Sequence, residues 1–328
     1  MIRFNKITDD IVFKFIISDI NKYLSLCSNI RIDKGIGSKE TNYLVYGKYN
    51  AIIKSFIEKF SYFFTEEQLK LMLNRLKSLT INEITYKYAY PYCLSLGYYD
   101  SNENEIVVEY YKDRRISKES IEETLIHELI HMASTRTTKD GNITGFEIPY
   151  YIGLNLNEGY TEYITEKYFI KGNAYVKSKS MNLFLAKGIE NIVGQERMQE
   201  LFFDANLKGL VDELSKYDKE VNIKKLLYLM DRYTRIMRGN KDLCSIVLEI
   251  ARINAKRLKR DLELGIISYE EYQIQYAIKV DEYLKGNMWS EETRVIKDND
   301  TFILSDQGFT SSVYELITEE KNKVKYYQ

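Results

Sequence analysis

Apolar residues recur at three-to-four spacing over most of this chain, which predicts a helix-dominated protein. In residues 1 to about 78, IVFKFIISDINKYL and YNAIIKSFIEKFSYFF carry that period. Thr65-Glu66-Glu67-Gln68 has the form of a capping box and opens a further helix through LKLMLNRLKSL. RIDKGIGSKETN reads as a polar loop between the first two. The period changes from about residue 80 to 111. There TINEITYKY alternates loosely, CLSLGYYD is short and aromatic, and EIVVEYY is β-branched and aromatic. The cluster Asp100-Ser101-Asn102-Glu103-Asn104 marks a turn, so a small sheet is expected, ending in a hairpin of 94–99 with 105–111.

Next, Ser117 or Ser120 caps a helix that runs to about Arg136, with Ile121, Leu125, Leu129 and Met132 as its apolar stripe. TTKDGNITGFEIPYYIGLNL reads as a long loop, and a second helix begins near Asn157 and runs through NEGYTEYITEKYF. From about 180 to 290 the pattern is of successive amphipathic helices: VGQERMQELFFDANLKGLVDELSKY, NIKKLLYLMDRYTRIM and CSIVLEIARINAKRLKRDLELG. Gly265 is placed to stop the last of these, and Ser268-Tyr269-Glu270-Glu271 to cap the next. A closing hairpin is expected from TFILSDQGF and SSVYELI. The organisation read from these signals is an N-terminal helical region (1–78), a mixed core (79–175) and a C-terminal helical subdomain (176–328), an α+β fold dominated by helices.

Composition narrows the function classes. With 328 residues, 45% hydrophobic and 29% charged, the chain can bury a sizeable core. A formal net charge of −1 argues against a general binder of nucleic acid or anionic membranes. Cys27, Cys93 and Cys244 stand far apart with no CxxC pair, which excludes a zinc ribbon or a disulfide scaffold and suits buried, inert thiols. The opening MIRFNKITDD carries no secretory pattern, and IVFKFII is too short, and too interrupted by Lys14, to span a bilayer. A cytoplasmic location is expected, with non-classical export still compatible. The basic stretch ARINAKRLKRDLE reads as a solvated helix face rather than a docking site. Oligomeric state is not legible.

The chemistry concentrates in the two histidines. His127 and His131 are the only ones in the chain, and they stand four apart in HELIH. On a helix that spacing puts both imidazoles on one face, able to point at one metal ion, with Glu128 about 100° round and in reach of a water on that ion. Two histidines placed at random in such a chain would fall four apart about 0.6% of the time. A histidine pair satisfied inside a packed core is the bland alternative. A catalytic zinc takes three protein ligands and keeps a fourth position open. With no third histidine, the third ligand is a carboxylate, unless a distant cysteine serves. LNEGYTEY supplies Glu158 and Glu162 at i and i+4. One can bind metal and the other can accept the spare ring N–H of a ligating histidine. Gly159, lacking a side chain, would let the two helices approach closely across the metal.

HELIH followed by LNEGYTEY resembles the gluzincin metallopeptidases, which include thermolysin and the aminopeptidase N-like enzymes. There an HExxH helix is followed by a helix bearing NExx[ST][DE] or NEGxxxY. The resemblance covers roughly residues 94–168 and implies a zincin-like catalytic core holding one zinc per chain. His127, His131 and Glu158 would be the metal ligands, Glu128 the general base and Glu162 the second carboxylate behind a ligating histidine. It implies a metallopeptidase hydrolysing peptide or protein substrates, with LGYYDSNENEIVVEYY similar to the sheet edge that pairs with extended substrate. The gap from His131 to Glu158 is longer than in those enzymes, no GxMEN-type segment precedes the helix, and the downstream histidine of thermolysin-like enzymes has no counterpart. The oxyanion must therefore be met by tyrosine, arginine, lysine or backbone N–H beside the metal. Tyr150 and Tyr151 are the first candidates, with Tyr160 and Tyr233 competing. A non-catalytic zinc-containing regulatory protein and a zinc hydrolase of a non-peptide amide are the alternatives.

Overall fold

Strand pairing at the start of the described chain already departs from the helical pattern. A computed structural model describes residues 30–34, 43–44, 49–76, 78–86, 96–111, 117–139, 141–148, 152–169, 181–236, 240–281, 295–298 and 301–304. Helices dominate and small sheets complete them. The chain forms two compact units. One comprises Met1–Gly145, Thr161–Lys177 and Phe202–Ala205, and the other Phe146–Tyr160, Ser178–Leu201 and Asn206–Gln328. The segments around Cys27, Cys93 and Trp289, and the expected first helix IVFKFIISDINKYL, lie outside the described residues.

The first unit holds a five-stranded sheet. Its strands are β1 (Ile30–Lys34), β2 (Tyr43–Leu44), β3 (Thr80–Tyr86), β4 (Gly97–Asp100) and β5 (Glu105–Tyr111), in the order β2-β1-β3-β5-β4. The strands β1, β3 and β5 are parallel, and β2 and β4 pair antiparallel at the two edges. The segment RIDK, expected in a loop, is thus most of a strand. Its backbone hydrogen bonds go to β3, a partner some 50 residues away in sequence that a local pattern cannot reveal. The hairpin of β4 with β5 closes as expected. The Asp100 carboxylate accepts the N–H groups of Asn102 at 2.8 Å and Glu103 at 3.2 Å.

Helices α1 (Asn50–Phe63) and α2 (Glu66–Leu76) precede β3, and the Thr65/Gln68 capping box is formed in both directions. Phe60 and Phe64 (ring centroids 4.4 Å apart), Phe203 (4.5 Å from Phe64) and the pair Phe56 and Phe169 (4.9 Å) build an aromatic core in this unit. Full burial of each such ring contributes about 1.5–3 kcal/mol.

After β5 comes α3 (Lys118–Ala133). Ser117 is its N-cap, accepting the N–H of Ser120 at 3.1 Å. All four residues of the expected stripe are buried, and so are Ile126, Ile130 and Ala133. The helix is therefore covered round most of its girth, not along one stripe. A Cβ at Gly97 would stand 2.9 Å from Cγ2 of Thr124, so α3 lies directly on the β4–β5 hairpin. The helix ends at Ala133, short of Arg136. The following residues, expected in a long loop, form a second hairpin of β6 (Thr135–Thr138) with β7 (Gly141–Thr144). Its signal was present: Asp140-Gly141 between threonine-rich arms, with Gly141 at φ 122°.

Helix α4 (Leu154–Ile164) begins three residues before Asn157, and it continues as a wider π-helical turn over Thr165–Phe169. Its residues up to Tyr160 belong to the second unit and those from Thr161 to the first. The second unit continues with α5 (Met181–Val193), α6 (Gln195–Phe203, its last two residues in the first unit), α7 (Leu207–Leu214), α8 (Glu220–Ile236), α9 (Asn240–Glu263) and α10 (Tyr269–Tyr276). One helix expected over VGQERMQELFFDANLKGLVDELSKY is in fact two, α6 and α7. The break falls at Ala205 (φ 51°), and Asn206 caps α7 by accepting the N–H of Gly209 at 2.7 Å. Gly265 (φ 67°) ends α9 and the Ser268/Glu271 capping box opens α10.

The expected basic face of α9 is neutralised within its unit. Arg252 pairs with Asp218 and Glu249, Arg257 with Asp261 at 3.0 Å, and Arg260 donates to the carbonyl of Lys216 at 2.8 Å. At the end of the described chain, β8 (Val295–Asp298) pairs with β9 (Thr301–Leu304). TFIL is a strand as expected, but its partner is VIKD, and SSVYELI lies outside the described residues. Among the described residues no helix is long and apolar enough to cross a membrane.

Candidate metal centre

Helix α3 delivers its two histidines as the i, i+4 spacing requires. His127 is half-buried and His131 buried, and their Nε2 atoms converge to 3.1 Å. Two nitrogens bound at about 2.0–2.1 Å to a tetrahedral ion stand roughly 3.3 Å apart. The pair therefore presents two nitrogens at close to the edge length of a metal tetrahedron. Glu158, half-buried on α4, completes the group. One ligand atom from each of His127, His131 and Glu158 lies within 4.8 Å of the other two, so this group can hold a metal ion. Among the described residues it is the one group of three or more His, Cys, Asp or Glu side chains so arranged.

The backbone around His131 is held by hydroxyls. Ser134 Oγ and Thr135 Oγ1 both donate to the His131 carbonyl, at 3.0 and 2.8 Å. Thr135 Oγ1 has spent its proton there, so Thr144 donates to it across the hairpin at 2.9 Å. The Arg136 guanidinium donates to the carbonyls of Ala133 (3.0 Å) and Thr135 (2.9 Å), a positive group at the negative end of α3. Burial pushes its pKa down, and the carboxylate of Asp204 opposes that shift. Arg75 on α2 ties the same region together, donating to the Thr135 carbonyl (3.1 Å), the Asn142 amide oxygen (3.1 Å) and the Tyr99 hydroxyl (3.1 Å).

The ring nitrogen of His131 that faces away from His127 meets a group not foreseen in the sequence. Nδ1 of His131 lies 3.4 Å from the hydroxyl oxygen of the fully buried Thr161. With Nε2 turned to a metal, Nδ1 carries the proton and Thr161 Oγ1 accepts it over a long hydrogen bond. Glu162, expected to accept the spare ring N–H of a ligating histidine, is half-buried one residue further on. Thr161 had a signal. It stands three residues after Glu158, on the same face of α4.

Glu128, next after His127 on α3, is buried, at 7% exposure. Gly159 does accommodate a close approach. A Cβ there would come within 2.8 Å of the Leu183 nitrogen and closer still to the Asn182 carbonyl. The neighbour is the backbone at the start of α5, whose N-terminal turn fits where α4 has no side chain. Tyr160 is fully buried, packed near Phe146 and donating to Glu190 at 2.7 Å. Its hydroxyl is committed to the core of the second unit. Tyr150 and Tyr151 lie outside the described residues, as does the side chain of Tyr233.

The start of α4 is set by residues no local pattern connects. The buried carboxylate of Asp231 on α8 accepts the N–H of Gly153 at 2.6 Å and of Asn155 at 2.9 Å. Asn155 in turn donates to the Met230 carbonyl at 2.6 Å, and the Asn157 side chain accepts the N–H of Phe146 at 3.2 Å. In comparisons with known proteins, no family model, no curated protein and no solved structure matches this chain.

Proposed function

We propose that this protein is a zinc-dependent metallopeptidase with a zincin-like core, acting in the cytoplasm on peptide or protein substrates. One observation carries the reading: His127, His131 and Glu158 bring their ligand atoms within 4.8 Å of one another, and Glu128, the residue after His127, is buried. Two imidazole nitrogens and one carboxylate oxygen suit zinc among the common ions, and three protein ligands leave a position for water. A structural site would be closed by a fourth protein ligand and would have no use for an adjacent base.

Zinc bound here supplies a water of lowered pKa and polarises the substrate carbonyl. The chain's own groups do the rest. Glu128 takes the proton of the attacking water and hands it to the departing amine, which its position one residue after His127 suits. Thr161 holds the His131 ring in the tautomer that leaves Nε2 free. The strand β4, antiparallel to β5 at one edge of the sheet among the described residues and carrying the exposed Tyr98, is where an extended substrate can add as a further strand.

The test is zinc content with cleavage of a peptide library, for wild type, Glu158→Ala and Glu128→Gln. The expected result is one zinc per chain, much weakened in Glu158→Ala. Glu128→Gln should keep its zinc and lose about 10²–10⁴-fold in cleavage rate. A wild type that takes up no zinc after supplementation would refute the site. Zinc binding without cleavage of any peptide would move the function to a non-peptide amide or to a regulatory role.

A further inference from the structure

Helix α4 carries Glu158 but has no cap of its own. The residue before its first turn, Gly153 (φ 100°), has no side chain to offer the first N–H groups. Asp231 supplies what is missing from 76 residues away, between Asn155 and itself. Its two carboxylate oxygens take one N–H each, at 2.6 Å from Gly153 and 2.9 Å from Asn155. Asp231 is 4% exposed, and its carboxylate sits at the positive end of the helix, where its charge is favourable.

The grip is directional as well as stabilising. Asn155 is held a second time through its amide, which donates to the Met230 carbonyl at 2.6 Å. Asn182 reaches the Asn155 amide oxygen at 3.5 Å. Asn155 is one turn before Glu158 on nearly the same face. On the other side of Glu158, Gly159 abuts the backbone of Asn182 and Leu183. A slip of one residue along a helix moves a side chain about 1.5 Å and turns it about 100°. Either displacement takes a carboxylate away from its metal.

We propose that Asp231 is a positioning residue for the metal ligand Glu158, fixing the rotation and axial setting of α4. The inference rests on the metal-site reading given above. It adds to that reading a residue on a separate helix that touches neither metal nor substrate.

The experiment is a chelator competition for zinc on four proteins: wild type, Asp231→Asn, Glu158→Ala and the double variant. Asparagine keeps the size of Asp231 but turns one acceptor into a donor facing a backbone N–H. Asp231→Asn should weaken zinc about tenfold when Glu158 is present and cause no further loss when it is absent. Equal losses in both backgrounds, or no loss in either, would make Asp231 a helix cap and nothing more. Wild type that binds no zinc would instead remove the metal site itself. Asp231→Glu is measured alongside in case the asparagine variant does not fold, because it keeps the charge and both acceptors but displaces them. Its cobalt-loaded visible spectrum should move towards that of Glu158→Ala, and a spectrum identical to wild type would overturn the proposal.

Discussion

Replacing Gly159 by alanine sets two effects of opposite sign against each other. Helix propensity favours alanine over glycine by about 1 kcal/mol in an exposed helix interior. Here the added methyl would meet backbone, not the end of a flexible side chain: the Leu183 nitrogen at 2.8 Å and the Asn182 carbonyl nearer still. No rotamer change relieves such a contact. Overpacking of this kind costs about 1–3 kcal/mol. The alternative is for α4 to retreat by roughly 1 Å, to an ordinary carbon–oxygen separation. That retreat stretches the bonds from Asn155 to Met230 (2.6 Å) and from Gly153 and Asn155 to Asp231 (2.6 and 2.9 Å). Each is worth about 1 kcal/mol, and more where a buried carboxylate is left short of donors. Because the contact is with backbone, the overpacking cost lies at the upper end of that range, and less the propensity gain Gly159→Ala should be destabilised by about 2 kcal/mol net. The assay is urea denaturation of the metal-free protein, which keeps zinc linkage out of the comparison. A variant as stable as wild type, or more stable, would refute the packing of α4 on the start of α5.

Three further outcomes are expected. Thr161→Val keeps the shape of a buried side chain but removes the hydroxyl at His131 Nδ1, so zinc should bind about tenfold more weakly in a chelator competition; unchanged affinity would remove Thr161 from the site. Stripping zinc from wild type should lower the thermal midpoint, by the equivalent of about 2.7 kcal/mol when free zinc stood at 100 times its dissociation constant, and should not alter His127→Ala. The Glu271 carboxylate, which accepts the Ser268 N–H at 2.8 Å, is held by that bond below the usual glutamate range. A depressed folded pKa gives stability that is present above the unfolded glutamate value and is lost as pH falls through the folded one. The urea midpoint of wild type should thus drop more steeply on acidification below about pH 4.3 than that of Glu271→Gln, and parallel profiles would refute the cap.

What the sequence determined by itself was whatever a helix or a turn encodes within a few residues. The convergence of His127 and His131 follows from 3.6 residues per turn, and so does the face shared by Glu158 and Thr161. The capping boxes at Thr65 and Ser268 and the hairpin of β4 with β5 are equally local, each closed by groups two or three positions apart. The hairpin of β6 with β7 was legible too, but two adjacent four-residue arms are too short to outweigh the loop-like composition around them.

Tertiary structure alone decided the rest. RIDK is in a strand because β3 pairs with it. Thr161 stands at His131 Nδ1 because packing set which residue of α4 points there. Gly159 serves the approach of α5, and α4 starts at Leu154 because Asp231, on another helix, takes its first N–H groups. The physical reason is common to all four. Hydrogen bonds and steric contacts depend on distance in space, and only for residues within about one turn of one another does distance along the chain stand in for it.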